Sequence, residues 1–158
     1  MDVSRDTSPL TAITPVIPGR EPVLRAVLES IAQRIASGSP TSLDSVATVH
    51  FARWALLEHP ARNELLFTSD FDGSWDDYIH DFVVNAADSF DAIYSNCEGY
   101  PISGARDEEA FKSFVRKHEV HNVVYYQAYP NTTVKEVKRA LRLARGLRDA
   151  LRGLQELS

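Results

Sequence analysis

The sequence predicts an α+β fold, a single antiparallel sheet with helices packed on it in the order βαββαβ, followed by one long terminal helix. Three observations carry this. Four β-rich runs, at residues 10–17, 46–57, 64–71 and 121–129, alternate with stretches of helical period. The second and third runs are separated by the turn His59-Pro60-Ala61-Arg62, close enough to form a hairpin. The last 25 residues repeat apolar side chains at spacings of three and four.

Each element follows from its residues. Residues 1–9 read as a polar, disordered leader. Residues 10–17 make a strand that Pro15 confines to an edge, since proline has no N–H for a second neighbour. Pro22 opens a helix in its first turn, and Leu24, Val27, Leu28, Ile31 and Ile35 form its apolar stripe until Gly38-Ser39-Pro40 stops it. After the hairpin, Ser74 caps a helix with Asp77 three residues on, a capping box with a shortened acid. Asp88 starts a further helical piece with Phe90, Ile93, Tyr94 and Cys97 inward, and Gly99-Tyr100-Pro101 ends it. Asp107 opens the next, whose final Arg116, Lys117 and His118 suit the negative end of the helix dipole. Residues 121–129 form the last strand, closed by Pro130. The domain therefore spans 10–130, and residues 131–158 form an amphipathic helix packing on it or on a partner subunit.

Composition bounds the function. The chain has 158 residues, 44% apolar and 25% charged, which suits one soluble domain. A single Cys97 excludes an intrachain disulfide or a multi-cysteine zinc site and fits a reducing, cytoplasmic setting. No apolar run is long enough for a membrane span, and the start has no apolar signal-peptide core. From Thr133 onward seven basic residues face three acidic ones, a balance of +4; with −5 over the whole chain, the other 132 residues carry −9. A basic helix on an acidic body points to docking or self-association and away from nucleic acid.

The element order over residues 10–129, with Ile13-Thr14-Pro15-Val16-Ile17-Pro18-Gly19-Arg20-Glu21, Val49-His50-Phe51-Ala52-Arg53-Trp54 and Leu65-Leu66-Phe67-Thr68-Ser69-Asp70-Phe71-Asp72, resembles the ferredoxin-like dimeric α+β-barrel superfamily of small monooxygenases, isomerases and haem enzymes. The resemblance implies a ferredoxin-like sheet, sheets paired face to face in a homodimer, and an oxygenase-, peroxidase-, isomerase- or cyclase-like enzyme. The alternative is a non-catalytic ligand-binding or assembly domain. It carries over no active site, because no catalytic motif of the superfamily can be matched residue by residue.

Candidate catalytic residues are His50, Arg53 and Asp70. Arg53 interrupts an apolar strand; with the hairpin turning at Pro60-Ala61 it lies opposite Thr68, with Asp70 as its same-face diagonal neighbour. Two readings stay open: a buried Arg53–Asp70 pair fixing register, or a cationic anchor for a substrate carboxylate or enolate. By alternation His50 points to the opposite face, with Ala52 and Trp54, as a packed residue, a general base or a haem ligand. Trp54, Phe67, Tyr78, Tyr125 and Tyr129 are candidate walls of an apolar or aromatic substrate pocket between sheet and helices, Tyr125 and Tyr129 on one face of their strand and Tyr126 on the other. His80 is the candidate axial ligand should haem bind, and the sequence requires no cofactor. His118-Glu119-Val120-His121 lacks the i, i+4 helical spacing of a zinc pair. Asp70, Asp72, Ser74 and Asp76 alternate like a calcium loop, but Trp75 stands where that loop needs glycine, so a strand end and helix cap explain them.

Overall fold

The structure, a computed structural model, describes residues 7–156. Its elements run β1 (Thr7–Pro15), α1 (Glu21–Ala36), β2 (Val49–Leu57), β3 (Glu64–Asp72), α2 (Trp75–Asn85), α3 (Ala87–Tyr94), α4 (Glu108–His118) and α5 (Val134–Glu156), with a short 3-10 turn at Ser42–Ser45. The α+β class and the long terminal helix stand as the sequence predicts. The sheet has three antiparallel strands in the order β1-β3-β2.

Period-two patterning builds the sheet. In the central strand β3, Leu65, Phe67, Ser69 and Phe71 are buried, and the residues between them are half-exposed. On the buried face they meet Leu10 of β1 and the helical residues Leu24, Ile79, Phe82, Phe90 and Phe111 in one core. Aromatic rings dominate it: Phe82 and Phe90 have centroids 4.4 Å apart, and Tyr78 stacks on Phe71 at 3.9 Å. All the helices of this layer cover one face of the sheet. Among the described residues, only the segment before α5 and its first turn reach the other, open face.

Local chemistry accounts for the helix starts. Ser74 accepts the Asp77 N–H and donates back to its carboxylate, and Asp107 accepts the Ala110 N–H. Thr133 and Glu136 form a capping box at α5, with the Thr133 N–H and hydroxyl both donating to Glu136 at 2.9 Å. The alternating Asp70, Asp72, Ser74 and Asp76 are the end of β3 and the start of α2, as the sequence reading has them.

Four expectations need correction. β1 opens at Thr7, so Thr7–Pro9 belong to the sheet; the rest of the expected leader, residues 1–6, lies outside the described residues. Residues 121–129 form no strand: Glu119 bridges Ala12 and the Val120 N–H donates to Thr11 at 2.8 Å, after which the chain follows the free edge of β1 through side chains alone. Its valines stay exposed, Val123 at 89% and Val124 at 85%, because nothing presents a pleated apolar surface to them. Helix α5 packs on its own sheet through its first turn alone: beyond Val134 no described residue of it is buried. Finally, the space between sheet and helices is not a pocket, since only about 10 Å³ remains among Phe67, Phe82, Phe90 and Phe114. No helix among the described residues is long and apolar enough to cross a membrane.

Candidate functional site

The hairpin register agrees with the sequence reading at Arg53, which pairs with Thr68, and Asp70 is its diagonal neighbour opposite Phe51. It departs at His50. Val49 pairs with Phe71 and Phe51 with Asp70, so two steps on β2 match one on β3 and His50 is the extra residue of a β-bulge. Val49, Ala52, Trp54 and Leu56 all pack on the core. The bulge turns the His50 ring away from Trp54, where alternation put it, and onto the open face shared with Thr7 and Asp72.

There His50 Nε2 lies 2.7 Å from Asp72 Oδ1. A carboxylate only accepts, so the Nε2–H donates, and in the neutral ring the proton-accepting lone pair is on Nδ1. Both side chains are mostly buried, at 14% and 12% exposure. The Thr7 hydroxyl donates to the same Asp72 oxygen at 3.4 Å. The second oxygen, Oδ2, accepts the Val134 N–H at 2.7 Å, so one carboxylate ties the imidazole to the start of α5.

His50 lines an open cleft of about 260 Å³, walled by Phe51, Asp70, Tyr125, Tyr126 and Tyr129. The segment after α4 brings the tyrosines there. The Thr11 hydroxyl donates to Asn122 at 2.8 Å, and the Gln127 amide donates to the Thr7 carbonyl at 2.8 Å, pinning the segment along β1. Asn131, at φ 58°, then turns the chain into α5, whose Val137 closes the rim. Burial, with the neighbouring Asp70 and Asp72 carboxylates adding to it, pushes the Tyr125 hydroxyl pKa up to about 12.

The predicted site residues therefore divide. His50, Asp70, Tyr125 and Tyr129 come together at the cleft, joined by Tyr126 from what was expected to be the opposite face. Arg53 does not join them: it is exposed and makes no ion pair among the described residues, so neither a buried Arg53–Asp70 pair nor a cationic pocket floor exists. Trp54, Phe67 and Tyr78 are core residues. Trp54 packs on Phe67 at 4.8 Å and its N–H donates to Tyr94, while the Tyr78 hydroxyl donates to Ser69 at 2.6 Å. His80 lies on the outer side of α2, more than half exposed and bonded to Glu108 at 2.9 Å. The residues do not fit a haem, because His80 faces away from the sheet and the space beneath α2 is filled. His118 donates to the Phe114 carbonyl at 2.8 Å and takes part in no group of three metal-ligating side chains among the described residues. Sequence reasoning missed Asp72, Thr7, Phe51, Tyr126 and Gln127 as site residues; the alternating acids at 70 and 72 were the available signal. No protein-family model, curated protein or solved structure matches this chain.

Proposed function

We propose that this chain binds and transforms a small aromatic or apolar molecule in the open-face cleft, with His50 as general base and Asp72 orienting its ring. The single observation that carries the reading is the 2.7 Å His50–Asp72 hydrogen bond at the edge of an aromatic cleft. A carboxylate holding Nε2–H fixes the tautomer and stabilises the imidazolium formed when Nδ1 takes a proton. This favours the isomerase- or cyclase-like side of the expectation over oxygenase or peroxidase chemistry. The superfamily reading is part of the proposal: residues 119–127 lie against the edge of β1 not used by β3, where a fourth ferredoxin-like strand would run. So is a cytoplasmic setting, supported by one buried, unpaired thiol at Cys97.

The test uses 5-nitrobenzisoxazole, a one-molecule reporter of a base in an apolar cleft. The base removes the ring C–H proton, the N–O bond breaks, and a coloured cyanophenolate appears. Turnover well above that of free imidazole, lost in His50→Phe and reduced in Asp72→Asn, supports the reading. Binding without turnover leaves a ligand-binding domain, and neither observation removes the cleft as a site.

A homodimer is the second reading, favoured by α5. Leu141, Leu143, Leu147, Leu151 and Leu154 are 49–66% exposed, an apolar surface a lone chain leaves in water. The opposite signs of helix and body suit a second copy, whose α5 would lie on the first chain's open face.

A further inference from the structure

We infer that the cleft selects an organic cation: a single aromatic ring on a short arm that ends in an amine or quaternary ammonium group. The inference rests on the cleft being a ligand site and adds the charge of what it takes.

Charge and ring placement on the open face carry it. The side chains lining the cleft include the carboxylate of Asp70 and the rings of Phe51, Tyr125, Tyr126 and Tyr129, with neither lysine nor arginine among them. Asp70 is half-buried opposite Phe51 and lines the cleft beside Tyr125. The second carboxylate, Asp72, lies behind His50 outside the cleft lining and is committed to His50 and the Val134 N–H. Arg53 lies on β2 two residues past Phe51, exposed and outside the cleft. Lys135 and Lys138 flank Val137 on α5 and are likewise exposed and outside it.

A cation entering such a cleft meets a partly desolvated carboxylate and the negative faces of aromatic rings, two attractions that a neutral group of the same shape lacks. An anion meets repulsion from both. The volume, about 260 Å³, lies at the small end of ligand sites and suits one ring with a short chain. The same arrangement bears on the chemistry: an ammonium held by Asp70 would leave the carbon chain of the ligand beside His50.

The experiment titrates the full chain at neutral pH with three probes of one skeleton, phenethylammonium, 2-phenylethanol and phenylacetate, and follows the backbone amides of Phe51, Asp70 and Tyr125 by NMR. The expected result is an ammonium affinity about tenfold or more above that of the alcohol, weakened by added salt, with the carboxylate weakest. Asp70→Asn should bring ammonium and alcohol to within about threefold of each other while the alcohol's own affinity holds. Should Asp70→Asn fail to fold, Tyr126→Ala, at a ring that is 84% exposed, should cost the ammonium more than the alcohol. Equal binding of ammonium and alcohol, or tighter carboxylate binding, overturns the cation class and leaves the cleft a ligand site. No shift at these amides with any probe overturns both.

Discussion

Asp72 and Val134 lie 62 residues apart in the chain and meet in a 2.7 Å hydrogen bond, the backbone N–H at the start of α5 donating to the second oxygen of the carboxylate that holds His50. The candidate base and the terminal helix therefore share one anchor. Asp72→Ala should cost about 2–3 kcal/mol, the usual range for losing a mostly buried, charge-assisted hydrogen-bonding group, and should speed hydrogen exchange at Val134. Urea unfolding and exchange rates check it. An unchanged midpoint together with unchanged exchange at Val134 would show that the carboxylate does not hold the helix.

Arg53→Met should leave stability within about 0.5 kcal/mol of the parent, because the guanidinium is exposed and makes no ion pair. Phe67→Ala, at a ring 3% exposed and packed between Trp54 and Phe82, should cost about 3–5 kcal/mol. Reversible urea unfolding of the two variants compares them directly. A large loss in the arginine variant would restore a structural role for that side chain.

Stability should fall at alkaline pH. Burial raises the hydroxyl pKa of Tyr78, Tyr94 and Tyr100 above the ordinary 10.0, helped at Tyr100 by the Asp91 carboxylate it bonds, and raises Tyr125 to about 12. Folded values above unfolded ones mean that the stability these groups lend is fully present below about pH 10 and drains away as pH rises through 12. Urea midpoints measured across that window should decline steadily. A flat profile would mean that the phenols are hydrated.

Cys97 should resist thiol reagents in the native protein. Burial pushes its thiol from 9.0 up to about 12, and it is 2% exposed. Disulfide-exchange reagent at mildly alkaline pH should react only as fast as the chain opens, and at once in urea. Prompt labelling of native protein would contradict the burial.

The terminal helix supplies a prediction about assembly. Light scattering should give about twice 17.7 kDa, and truncation after Pro130 should shift it to a monomer that still unfolds cooperatively, at a midpoint lowered by the loss of Val134, the one buried side chain among the described residues of α5, and of its bond to Asp72. A full-length monomer at micromolar concentration would dismiss the second copy.

How much of this was legible in the sequence depends on whether a feature is local. The α1 stripe from Leu24 to Ile31, the Ser74 cap and the Arg53–Thr68 register follow from side chains close along the chain or joined by a short turn, and all three stand, while Ile35 at the end of the stripe is exposed. The bulge at His50 could not be read that way. A strand's period is two, and one unpaired residue inverts every expectation on the near side of it, so His50 changed face while Arg53 did not. Residues 121–129 misled for a different reason. Their valines and tyrosines have high β propensity, but that propensity expresses fit to a neighbouring pleat, and beyond Val120 this segment meets β1 only through side chains. The walls expected from Trp54, Phe67 and Tyr78 failed because aromatic residues fill a core as readily as they line a pocket.

Strand β2 has β3 on one side only, so its outer edge carries a row of backbone groups with no partner strand among the described residues. An apolar edge of this kind is a template for the strand of any other chain that drifts against it. Arg53 stands in the middle of that edge strand, flanked by Ala52 and Trp54, with Phe51 and Ala55 beyond them. Any strand that zipped onto β2 would have to accommodate an exposed guanidinium with no carboxylate to meet it. A charge so placed disfavours edge-to-edge pairing, so Arg53→Met is expected to leave the folding midpoint in place and to raise the tendency of the folded domain to aggregate.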